Sequence, residues 1–125
     1  MSIPLILTTT HRAIASADAD TLRRAVDAYA DFVSRAEPGL VALGITADDT
    51  EASVSLMHVF EDPRSADEHL AIASQHITDG FAIAETARIS VVGTPGPRIR
   101  GLLAANRDAG VPTASVHAIA GFARR

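Results

Sequence analysis

The chain has 125 residues, with 15 acidic side chains against 11 basic ones, a net charge of −4 and no cysteine. This is one domain's length, and 47% hydrophobic with 21% charged residues describes a packed chain rather than a disordered one. Lack of cysteine excludes disulfides, thiolate nucleophiles, iron–sulfur clusters and cysteine-type zinc sites; all 11 basic residues are arginine, which excludes Schiff-base and P-loop lysine chemistry, and the acidic balance argues against a nucleic-acid partner.

Residues 3–10 mix apolar and β-branched side chains and predict a first strand. Asp18 and Asp20 offer N-caps to a helix whose apolar face is Leu22, Ala25, Val26, Tyr29, Val33 and Ala36, and Pro38-Gly39 stops it. Leu40 to Thr46 and Ala52 to Phe60 predict a hairpin across Asp48-Asp49-Thr50. Val54, Leu56, His58 and Phe60 share one face of its second strand, and Ser53, Ser55, Met57 and Val59 share the other. Both faces are partly apolar, and one small domain has too few helices to cover both. A second copy would cover the other, so a homodimer is expected.

A second helix follows, capped by Asp62 or Ser65, with a further turn or two at Phe81, Ile83 and Ala84. Ala87 to Val92 predict a fourth strand; Pro97 opens a helix that Gly110 ends, and Ala114 to Phe122 predict a fifth strand. The order is β-α-β-β-α-β over residues 3–92 with an α-β extension over 93–125, an α+β ferredoxin-like layout in a single domain. No segment reads as a targeting signal or membrane span, so the expectation is a cytoplasmic protein with no membrane partner.

The run Phe60-Glu61-Asp62-Pro63-Arg64-Ser65-Ala66-Asp67-Glu68-His69-Leu70, with Pro38-Gly39-Leu40 upstream, resembles the antibiotic biosynthesis monooxygenase family. The family's pattern is an aromatic residue at the end of the third strand, an acidic turn, and a His-Leu pair nine residues after the aromatic. The resemblance implies a dimeric α/β barrel. It also implies a cofactor-independent monooxygenase acting on a small aromatic quinol or polyketide-type substrate, whose own electrons reduce O2. Alternatives are a non-catalytic dimer that binds a small apolar or aromatic ligand, and a haem-degrading relative. This chain has Phe60 where the quinol oxygenases usually carry tryptophan, and His58 where a glutamate is common.

Histidine is the natural acid–base candidate among the residue types present. His58 shares a strand face with Phe60 and is the candidate base; Arg88, on a strand face with Ser90 and Val92, is the candidate stabiliser of a substrate anion. Phe60, Tyr29, His69, His76, Phe81 and His117 complete the expected substrate contacts, with His117 converging on His58 if their strands are neighbours. His69 and His76 lie seven apart, without the i, i+4 pairing of a helical metal site, and no dinucleotide fingerprint occurs. No metal and no cofactor is expected.

Overall fold

A computed structural model describes residues 3–124. The elements are β1 (Leu5–Ala13), α1 (Ala19–Ala36), β2 (Leu40–Asp48), β3 (Ser53–Phe60), α2 (Pro63–Ile72), α3 (Ser74–Phe81), β4 (Ala84–Val92), α4 (Pro97–Asp108) and β5 (Thr113–Val116). They form one sheet in the order β2-β3-β1-β4-β5, antiparallel except for the β4–β5 pair, which is parallel. This is the ferredoxin-like α+β fold with an added helix and edge strand.

Register decides which side chains meet. Leu5 pairs with Phe60, Leu7 with His58 and Thr9 with Leu56, so alternate residues of β1 and β3 point to one face. The helices pack on that face in two clusters. Leu5, Leu7, Phe60, Ile89 and Val91 meet Ala66 of α2 and Ile99 and Leu103 of α4. Val54, Leu56 and Ala84 meet Leu22, Tyr29 and Val33 of α1 and Ala73 between α2 and α3. The other face carries Ile6, Thr8, Met57, Val59, Ser90 and Val92, with Met57 47% and Val92 45% exposed.

Three sequence expectations change. Ile83 and Ala84 do not extend a helix: α3 ends at Phe81, and β4 begins at Ala84, three residues before the predicted start. The second helix is two, α2 and α3, divided at Ala73, so His69 and His76 lie on separate helices. The fifth strand stops at Val116 rather than Phe122, although its apolar alternation continues. Its partner β4 is exhausted at the pair Val92–Val116, and Gly93, at φ +128°, turns the chain away. Alternation without a neighbouring strand gives no ladder.

The α4 N-terminus is capped from another helix. Arg98 and Ile99 donate their backbone N–H groups to the Asp67 carboxylate of α2 at 3.2 and 3.0 Å. The contact needs Gly96, because a Cβ there would lie 2.4 Å from Asp67 Oδ2. Asp67→Ala strands two donors and is expected to cost about 1–2 kcal/mol, read as a lower urea midpoint at constant slope. An unshifted midpoint would show that water satisfies these donors equally well.

Candidate active site

The site begins at the end of α1. Pro38 disfavours helical geometry for the residue before it, and Glu37 leaves the helix at φ −129°, ψ 82°. Gly39 then lets the chain pass against α2: a Cβ at Gly39 would lie 2.3 Å from Ser65 Oγ, and the Glu61 N–H donates to the Gly39 carbonyl at 2.9 Å. This corner presents the Glu37 carboxylate to α2, where it meets His69 Nδ1 at 2.8 and 2.9 Å.

From that pair a line of hydrogen bonds crosses the core. His69 Nε2 lies 3.0 Å from the Tyr29 hydroxyl, which lies 2.5 Å from His58 Nε2. His58 Nδ1 is 3.2 Å from the Leu7 carbonyl oxygen, which fixes Nδ1 as the protonated nitrogen and Nε2 as an acceptor. Exposure is 5% at Glu37, 2% at His69, 8% at Tyr29 and 3% at His58, so the entire line is out of water. Phe60 stacks on His58 from behind, with rings parallel to within 2° and centroids 5.8 Å apart.

Four links join two obligate acceptors, the Glu37 carboxylate and the Leu7 carbonyl, through His69, Tyr29 and His58. With neutral imidazoles and an ionised Glu37, three hydrogens serve four links. One further proton completes the line. Burial, reinforced by charge on His69, pushes the His58 pKa from 6.5 down to about 3, so that proton does not settle there. Burial, then the negative charge of Glu37, raises the Tyr29 pKa above its ordinary value and keeps it a phenol. Of the two imidazoles, His69 is the one that faces a carboxylate, that of Glu37.

Beside the line lies a cavity of about 510 Å³, lined mostly by apolar side chains of both core clusters, such as Leu7, Ile89, Leu22 and Leu56. Tyr29, His58, His69 and His76 open onto it, and Phe81, 60% exposed, stands at its edge. His76 packs against Phe32 with ring centroids 4.5 Å apart.

The expected site residues thus divide. Tyr29, His58 and His69 are brought together, His76 and Phe81 line the same cavity, and Phe60 is a wall behind it, 0% exposed and outside the lining. Arg88 is a correction: it is exposed on the opposite sheet face, its guanidinium 3.5 Å from Thr10 Oγ1, because β4 alternation puts Ile89 rather than Arg88 inward. His117 is a second correction. It is exposed, beyond the end of β5, and two strands separate β5 from β3, so it does not converge on His58. Sequence reasoning missed Glu37. An acid at the carboxyl end of a helix opposes the macrodipole, whereas Arg35 nearby agrees with it, and that local conflict was the available sign. Among the described residues no group of three His, Asp or Glu side chains is placed to hold a metal ion.

No family model matches the chain, and no curated protein matches it. Solved structures do. MupZ of Pseudomonas fluorescens superposes with a TM-score of 0.70 at 16% identity, over 99% of this chain and 91% of that one. SnoaB of Streptomyces nogalater, described as a cofactor-independent oxygenase, gives 0.64 at 15% identity over 77% of this chain and 97% of its own. A protein of Chloroflexus aurantiacus provisionally assigned as an antibiotic biosynthesis monooxygenase gives 0.59 at 15% identity, over 75% and 95%. The chain shares the fold of antibiotic biosynthesis monooxygenase-like proteins, and the MupZ match extends through the C-terminal helix and tail.

The low proton affinity of His58 has a consequence for stability. The unfolded chain takes up a proton at this residue below about 6.5 that the folded chain refuses until about 3. Stability is therefore complete above the first value and falls as pH drops through the window, with a limiting slope of about 1.4 kcal/mol per pH unit. Urea titrations between pH 7 and 4 are expected to show this slope, and His58→Gln to flatten it. An unchanged slope in the variant would assign the acid lability to another group.

Proposed function

We propose that this chain is a cofactor-independent oxygenase that removes a proton from a hydroxylated aromatic substrate, a small quinol or polyketide-type phenol, held in the apolar cavity. The observation that carries this reading is the buried Glu37–His69–Tyr29–His58 line, one proton short of completion, beside a cavity of suitable size. Tyr29 Oη is the atom the substrate meets, because each ring nitrogen of His58 and His69 has one hydrogen-bonding site and it is taken, whereas the hydroxyl, with one hydrogen and two lone pairs, keeps a site beyond its two imidazole partners. It receives the substrate proton and releases one to His69 Nε2. The base role expected for His58 passes to His69 with Glu37, and His58 orients the phenol.

The substrate anion then reduces O2, and the radical pair combines as a carbon–oxygen bond. The proton returns through Tyr29 to give a hydroperoxide, and loss of water leaves a carbonyl. A carbon that carries two hydrogens in the keto form ends as C=O. One oxygen atom goes to that carbon and one to water, and all four electrons come from the substrate. Water exclusion by the apolar lining strengthens each polar contact in the path.

The test is oxygen uptake by the purified chain with a panel of quinols and phenolic polycycles, in the presence of a chelator. Turnover above autoxidation is expected, with Tyr29→Phe and His69→Gln lowering it by ~10²–10⁴-fold. Glu37→Gln keeps an acceptor for Nδ1 but removes the balancing charge, and is expected to fall in the same direction. If His58→Gln abolished turnover while His69→Gln retained it, the base would be His58. Absence of uptake across the panel would favour a non-catalytic protein that binds a ligand in the apolar cavity.

The same reading includes a second copy. The helices pack on one sheet face, and the other leaves Met57 and Val92 nearly half exposed; the tail separately exposes Ile119 at 90% and Phe122 at 56%. A homodimer burying this face against itself would cover Met57 and Val92. Met57→Asp is expected to convert a dimer to a monomer in sedimentation equilibrium, and removal of residues 117–125 to weaken the dimer. A wild-type monomer at high protein concentration would refute the assembly.

A further inference from the structure

The cavity has a second polar end that the proton-transfer line does not use. His11, Thr9 and Thr86 line it, with His11 Nε2 2.9 Å from Thr9 Oγ1 and His11 Nδ1 3.5 Å from Thr86 Oγ1. Thr9 and His11 point inward by the alternation of β1. Thr86 does so only because the β1–β4 register shifts between Thr10 and His11. Thr10 pairs with Arg88 and His11 with Thr86, so Ala87 is the extra residue of a bulge. In an unbroken ladder Ala87 would oppose His11 and Glu85 would oppose Ala13, turning a carboxylate inward. The bulge instead brings a hydroxyl to the imidazole and leaves Glu85 exposed.

The chemistry of this end is neutral. Burial lowers the His11 pKa, so the ring is uncharged near neutrality, with one nitrogen donating and the other accepting. Among the described residues no arginine lines the cavity, and Asp79 is the one aspartate that does. A carboxylate or phosphate group finds no countercharge there. A hydroxyl or carbonyl finds both a donor and an acceptor.

We propose that the His11–Thr9–Thr86 cluster is a specificity subsite that holds a second, uncharged oxygen of the ligand, at the end opposite the oxygen that meets Tyr29. His58 lies opposite Leu7, and His11 is four residues further along β1, so the two polar ends are set apart along the strand. The selected class is a neutral ligand oxygenated at both ends, in preference to an acid. This inference rests on Tyr29 being the atom the ligand meets, as in the proposed function.

The experiment compares two probes, 2,6-dihydroxynaphthalene and 2-naphthol, by calorimetric or fluorescence titration against the full chain. The wild type is expected to bind the diol at least tenfold more tightly than the mono-ol. Thr86→Val, which keeps the shape of the side chain, and His11→Leu are expected to bring that ratio to within about twofold of one. A loss of packing alone would weaken both probes together and leave the ratio standing, so the ratio separates recognition from structure. Tyr29→Phe is expected to weaken both probes. If Tyr29→Phe has no effect while the ratio still depends on Thr86 and His11, the proposed function fails and the subsite survives. Equal binding of the two probes to the wild type, a ratio unmoved in both variants, or no binding of either probe overturns the subsite.

Discussion

A carboxylate and an imidazole, each with about nineteen-twentieths or more of its surface removed from water, meet at 2.8 Å where α1 gives way to β2. Withdrawing a carboxylate from solvent carries a desolvation penalty of several kcal/mol, and the imidazole N–H offsets it only when the geometry is held. The Glu37–His69 pair therefore constrains its surroundings more than it stabilises them. Removing one partner leaves the other buried and unmatched, at a cost of about 3–5 kcal/mol. The orientation of His69 fixes what Tyr29 can do, and Tyr29 in turn fixes the second imidazole.

That geometry is held by backbone constraints of modest strength. Pro38 takes Glu37 off the helix, Gly39 permits the close approach to Ser65, and Asp62 caps α2 by accepting from the Ser65 N–H at 2.7 Å. Each acts within the few residues on either side of the α1–α2 contact. The two hydrophobic clusters then fix the distance between sheet and helices on either side of the cavity, which is how an apolar space persists beside a polar line. Tyr29 belongs to one cluster by its ring and to the site by its hydroxyl, so packing and chemistry meet in that residue.

Much of this architecture was legible in the sequence, and the limits have physical causes. The α1 helix announced itself by its apolar spacing, its Asp18 cap and its Pro38-Gly39 stop, all of them local features. The β2–β3 hairpin and the helix-capping Asp62 were equally local. His58, Tyr29 and His69 were each legible as candidates, but their convergence was not, because it depends on a 29-residue and a 40-residue separation closed by tertiary packing. Arg88 and His117 were misplaced for a related reason. Alternation states which residues share a face of one strand, and only the strand order and the helix side state which face encloses the cavity. Thr86 was beyond reach, since a bulge changes parity within a strand without leaving a compositional mark.

The division between the two sheet faces bears on how the proposed oxygenase chemistry would proceed without a fixed cation. Arg88 stands on the far side of the sheet, so a substrate anion formed in the cavity has no guanidinium to rest against. In the proposed reaction its counter-charge is the proton it has given up, passed through Tyr29 to His69 beside Glu37. Such an anion is stabilised enough to form and is not neutralised by a permanent ion pair. Its electron density remains available to O2, and return of the proton is short in distance once the peroxide exists. A permanent cation in the same position would lower the energy of the anion and, with it, the driving force for electron transfer. On the proposed function, the parity of β4, which sends Ile89 inward and Arg88 outward, would serve the chemistry by exclusion as Tyr29 would by contact.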